Sequence, residues 1–113
     1  MQEITYEQVL NFLKQNKLDL LPGQPAVSFP KIQRIHVRLK RGCVFSPIEV
    51  AGGRISDGHH RYICLCLLGL EIKIKKAGSN LSYTTNFKWD EIILDIEDHD
   101  TPEERIYYEN KYD

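Results

Sequence analysis

Apolar positions in this chain fall into spaced, continuous and alternating runs, and each spacing predicts a different element. Val9, Phe12 and Leu13 recur at helical spacing behind Thr5-Tyr6-Glu7-Gln8, which has the order of a capping box with Ile4 and Val9 at staple positions. A helix is therefore expected from there toward Asn16. Residues 18–29 hold Pro22, Gly23 and Pro25 and read as a connection with a short extended piece at 26–29. From 31 to 41, Ile32, Ile35 and Leu39 fit a helix, while Ile35, Val37 and Leu39 fit a strand. Pro30 just before this segment and Gly42 just after it favour the helix, which would show Arg34, Arg38 and Arg41 along one side.

Residues 43–50 read as a strand with Pro47 near an edge or bulge, 51–53 as a tight turn, and Arg54-Ile55 as a strand remnant. The unbroken run from Ile63 to Leu68, closed by Gly69, predicts a helix buried on most sides and ended in a left-handed conformation. Its first turn is the expected wet exception. Residues 70–76 alternate, predicting a strand with Lys73, Lys75 and Lys76 on one wet face. A turn is expected at 78–80, and 81–87 is unassigned. Residues 89–96 read as a strand, with a partly helical form as the alternative. Thr101-Pro102-Glu103-Glu104 opens a last helix toward Lys111, with Tyr107 and Tyr108 as its packing residues. The sum is a single α+β domain over residues 1–113, a mixed sheet with packed helices and an acidic C-terminal helix.

Composition narrows the setting. No apolar run approaches the roughly 20 residues of a membrane span, and the first residues lack a signal-peptide pattern. Cys43, Cys64 and Cys66 are an odd number, two of them inside the apolar helix, which favours packed, reduced thiols in a cytoplasmic protein. The net charge of −1 conceals a polarity: residues 1–89 carry 13 Lys/Arg against 6 Asp/Glu, and residues 90–113 carry 2 against 10. Residues 31–41 contain five basic side chains and no acid. From charge alone the first reading is a solvated helix face opposite the acidic tail of the same chain. The second is a footprint for an anionic partner such as DNA.

The densest chemistry lies at Ser56-Asp57-Gly58-His59-His60-Arg61-Tyr62, where a strand and turn feed the apolar helix. Asp57 or Ser56 can cap that helix. A helix start carrying glycine, two histidines and an arginine suits an anion such as a phosphate. Gly58, His59, His60 and Arg61 would cradle phosphates, with Arg34 and Arg38 as a second basic wall of the cleft. Asp57 and His60 are the candidate catalytic groups, and Asp57 could hold Mg²⁺ through water. The ordinary reading of the pair is one packed and one solvated histidine, since neighbours on a helix diverge by roughly 100°. Tyr62, Tyr83, Phe87 and Trp89 are either base-stacking or core aromatics.

The helix at 31–42, the strand Pro47-Ile48-x-Val50, the cluster Asp57-Gly58-His59-His60-Arg61 and the closing Leu68-Gly69 resemble, in order and spacing, the ParB/sulfiredoxin superfamily over residues 29–77. The resemblance implies that residues 57–61 bind nucleotide phosphates (ATP, ADP or CTP) with Mg²⁺. Sulfiredoxins place a nucleophilic cysteine where this chain has His59, so that activity is not expected. Partition proteins of the ParB type add a helix-turn-helix domain for which 113 residues leave no room. The free serine kinases share Asp-Gly-His-His-Arg and use a glutamate base on the preceding segment, where residues 18–29 offer Asp19 and no Glu. The implied function is nucleotide phosphate binding, with hydrolysis or transfer to a small molecule. The alternatives are a ParB-like nuclease or DNA-binding module using 31–41, and a non-catalytic interaction domain whose acidic tail docks a basic partner.

Overall fold

The computed structural model describes residues 3–77 and 87–112. The turn expected at 78–80, most of the unassigned stretch after it and Tyr83 lie outside the described residues. The first helix, α1 (Tyr6–Lys14), forms with the capping box its sequence announces: Gln8 N–H donates to Thr5 Oγ1 at 3.2 Å and Thr5 N–H to Gln8 Oε1 at 2.9 Å. It stops short of Asn16, which turns left-handed at φ 50° and accepts the Trp89 N–H at 3.0 Å. Val9 and Leu13 face the core.

Residues 18–25 are irregular and pinned by side chains. Leu20 donates its N–H to the Tyr62 hydroxyl at 3.1 Å, and its carbonyl accepts the Trp89 indole N–H at 2.7 Å. The extended piece is β1 (Ala26–Ser28). Ser28 then caps α2 (Phe29–Lys40), which settles the helix-or-strand ambiguity in favour of the helix. Pro30 lies in its first turn, where a missing N–H removes no helical bond, and Gly42 follows its end at φ 90°.

The next strands, β2 (Ile48–Ala51) and β3 (Arg54–Asp57), form an antiparallel hairpin. Gly52 and Gly53 close it, both at positive φ, as a two-residue turn of the primed type requires. The strand expected from residue 43 begins only at 48. Pro47 has no N–H to give a ladder, and the Ser46 carbonyl is taken by Arg61 Nη1 at 2.9 Å. Helix α3 (His59–Leu68) ends at Gly69 in the left-handed conformation expected and leads to β4 (Ile74–Lys76). In the sheet the order is β3-β2-β4, with β2 and β4 parallel, so it is mixed. β4 is shorter than its alternating sequence suggests, and as an edge strand it is exposed on both faces rather than one.

Residues 89–96 take both forms offered by their pattern: a 3-10 turn, Trp89–Glu91, then β5 (Ile93–Asp95), which pairs parallel with β1 in a separate two-stranded sheet. Helix α4 (Pro102–Tyr112) starts with a second reciprocal cap between Thr101 and Glu104. Contrary to the packing expected of it, Tyr107 is 59% exposed, with its ring edge-to-face with Tyr108 at 5.3 Å and Lys111 Nζ 5.9 Å from its centroid. None of the described side chains of α4 is buried.

One apolar cluster joins these elements, including Leu13, Val27, Ile32, Ile48, Ile55, Ile63 and Trp89. Helices α2 and α3 share it, and the Cys64 thiol of α3 donates to the Ile32 carbonyl of α2 at 3.3 Å. Burial pushes that thiol well above its ordinary range, and all three cysteines are free. Among the described residues no helix is long and apolar enough to cross a membrane.

Gly23 stands at the tightest of these contacts. A Cβ there would run into the Ile55 carbonyl oxygen, a backbone atom that cannot swing aside. Gly23→Ala is therefore expected to lower the unfolding free energy by about 1–3 kcal/mol in urea titrations. The control Val44→Ala, at a side chain 84% exposed, should change it by less than about 0.5 kcal/mol.

Candidate functional site

The glycine of the Asp-Gly-His-His-Arg cluster decides how the site is built. Gly58 is the N-cap of α3 at φ 101°, a conformation that disfavours any side chain, and a Cβ there would sit 2.7 Å from Arg61 Nη2 and 2.9 Å from Ile48 Cδ1. Asp57 consequently still belongs to β3 and does not cap the helix, as the sequence suggested it would. Its carboxylate instead accepts from Arg61 Nη2 at 3.0 Å. No side chain caps α3, and its ladder starts with the Tyr62 N–H on the Gly58 carbonyl at 2.8 Å. The preceding first-turn N–H groups are left to water or a ligand.

The histidines overturn the expectation of a wet, basic first turn. His59 and His60 are only 4% and 9% exposed, and neither is the solvated member of a pair. Gly23 N–H donates to His59 Nε2 at 2.8 Å, and Ser28 N–H donates to His60 Nε2 at 2.9 Å. A ring that accepts through Nε2 is neutral and carries its proton on Nδ1. Burial pushes the His59 pKa down to about 4. For His60 burial, reinforced by Lys31, His59, His99 and Arg34, pushes it down to about 3. The His59 ring faces Trp89 edge-on at 6.4 Å and lies outside the cavity described next. It holds the fold rather than a phosphate.

The remaining candidates do meet. A cavity of about 220 Å³ opens between α2, the start of α3 and α4. Arg34 and Arg38 come to it from α2, and Asp57, Gly58, His60 and Arg61 from the cluster, as the sequence reading required. Lys31 joins them, with Asp100 and Tyr108 across the opening. Arg38 is only 5% exposed. Tyr62 and Trp89 are core residues stacked on one another at 6.0 Å, not a platform for a base, and Phe87 is partly buried against the same core.

Two cations of this wall, Arg34 and Lys31, are already paired from within. Arg34 forks onto Asp98, with Nη1 to Oδ2 at 2.6 Å and Nη2 to Oδ1 at 2.8 Å, and Nη2 also reaches Asp100 Oδ2 at 2.8 Å. Lys31 Nζ lies 3.3 Å from the other Asp100 oxygen. Hydrogen bonds from Arg34 hold the Asp98 carboxyl well below the usual range, at about 2. The charge pattern had foreshadowed a tail facing residues 31–41. It did not single out Asp98 or Asp100, whose spacing on either side of His99 was the available signal. Among the described residues no three His, Cys, Asp or Glu side chains are grouped to hold a metal.

Comparison with protein-family models, curated proteins and solved structures returned no match for this chain.

The buried histidines make stability depend on pH. His36, His59 and His60 all have folded-state pKa values below the ordinary 6.5, so as pH falls below about 6.5 the unfolded chain binds protons that the folded chain refuses, for His59 and His60 down to about pH 4. Their contribution is complete above pH 6.5 and is lost as pH falls, by up to about 1.4 kcal/mol per pH unit for each ring. Asp98, also lowered, adds loss only below about pH 4. Denaturant unfolding as a function of pH should show that decline. His60→Gln, which keeps an acceptor for the Ser28 N–H, should cut the slope between pH 6 and 4.5 by about a third to a half, His59 and His36 supplying the rest.

Proposed function

We propose that this chain binds a nucleotide through its phosphates, at the cavity between α2 and the start of α3, and that it belongs to the ParB/sulfiredoxin superfamily its central motif resembles. The observation that carries the reading is the convergence, from segments some 20 residues apart, of Lys31, Arg34 and Arg38 with Gly58, His60 and Arg61 on one cavity. Cationic forks and open helix N–H groups recognise phosphate oxygens. Neutral His60 adds a hydrogen-bond donor at Nδ1 rather than a charge. At about 220 Å³ the cavity is smaller than the roughly 300–1,000 Å³ typical of small-molecule pockets, which suits a phosphate group with the rest of the nucleotide outside. A Mg²⁺ ion brought by the nucleotide would take Asp57 as its protein partner, with phosphate oxygens and water completing the shell.

Binding, rather than phosphoryl transfer, is the function the side chains favour. The two carboxylates lining the cavity, Asp57 and Asp100, are each paired with a cation, and His60 is held too acidic to serve as a base. The reading of residues 31–41 as a DNA-binding face is less favoured, because Lys31 and Arg34 turn toward the acidic tail of their own chain.

Titration calorimetry with ATP, ADP and CTP in the presence of Mg²⁺ tests the proposal. At least one should bind with a submillimolar Kd, and Arg61→Ala should weaken it by about 10–100-fold, the range for losing a charged hydrogen-bond donor. Absence of binding by the unaltered protein at millimolar nucleotide would overturn it.

A further inference from the structure

Asp100 holds an unusual position. Its carboxylate is nearly buried, lines the cavity, and divides its two oxygens between Lys31 at 3.3 Å and Arg34 at 2.8 Å. Asp98 takes the remaining edge of the same guanidinium in the two-pronged geometry that arginine also offers to phosphate. We propose that residues 98–100 form an acidic strap that competes with the ligand: the Asp100 carboxylate stands where a bound phosphate would meet Lys31 and Arg34, and phosphate binding displaces it. This rests on the phosphate-binding reading above.

The way the strap is attached supports displacement. Upstream it is anchored at Ser28, whose hydroxyl donates to the Glu97 carbonyl at 2.8 Å and accepts the His99 N–H at 3.2 Å. Downstream it continues into α4, none of whose described side chains is buried, and Arg105 of that helix lies 3.8 Å from Asp98. Little apolar burial resists movement beyond residue 99. The contact that closes the strap is electrostatic, between a tail with 10 acids over residues 90–113 and the acid-free segment 31–41. A phosphate carrying more than one charge outbids a single carboxylate for the same two cations. Closed, the strap keeps the half-buried cations Lys31 and Arg34 paired when no ligand is present, which lowers the cost of their partial desolvation.

The test compares affinity for inorganic pyrophosphate in the unaltered protein and in the double variant Asp98→Asn/Asp100→Asn, with folding verified by thermal melting. The strap predicts at least tenfold tighter binding by the variant. Equal or weaker binding by a folded variant, with the unaltered protein still binding, overturns the strap and leaves the phosphate site standing. Failure of both proteins to bind millimolar pyrophosphate overturns both. If the double variant does not fold, hydrogen exchange in the unaltered protein decides: saturating pyrophosphate should speed exchange across residues 98–112. Unchanged or slower exchange there overturns the strap.

Discussion

Ser28 is the junction on which the arrangement depends. It is fully buried, and its N–H and hydroxyl between them reach three different parts of the chain. Its N–H reaches His60 at the start of α3, and its hydroxyl accepts from Lys31 N–H at the start of α2 and from His99 N–H in the acidic segment, while donating to Glu97. A polar group so deeply buried is tolerated only when it is satisfied. The need to satisfy this one residue brings the two helix starts and the tail to a common point. His59 makes a parallel tie to Gly23, so the connection at residues 18–28 is stitched to α3 along its length.

This junction sets the electrostatic character of the cavity beside it. The histidines cannot both accept backbone N–H groups and carry charge, so the positive potential comes from the lysines and arginines of the lining, Lys31, Arg34, Arg38, Arg61 and Lys111. These are partly offset by carboxylates of the same chain. Stability and the charge of the cavity thus draw on the same side chains, and cations of the lining are paired with carboxylates of their own chain.

Local features were legible where the cause is local. The capping boxes at Thr5 and Thr101, Pro30 and Gly42 around α2, and Gly69 after α3 act within a few residues of themselves, and each element they announce is present. The joining of Arg34 and Arg38 with Gly58, His60 and Arg61 on one cavity was also anticipated, from the basic side of the 31–41 helix and the cluster at 57–61. The extents of β2 and β4 were not, because they depend on a side chain capturing Ser46 and on an edge left uncovered. His59 and His60 were misread as a wet turn for a related reason. An imidazole looks the same in sequence whether it meets solvent or a backbone N–H contributed from more than 30 residues away.

The amino-acid order by itself determined an α+β chain with an apolar helix behind a glycine-basic cluster, a basic middle and an acidic end. Those properties follow from hydrophobic period, backbone-restricting residues and charge count, all short-range or additive. Tertiary structure alone decided that the histidines are neutral, that Asp57 pairs with Arg61 instead of capping α3, and that Asp98 and Asp100 close over Arg34. Protonation and pairing depend on desolvation and on partners distant in sequence, and both are created only when the chain folds.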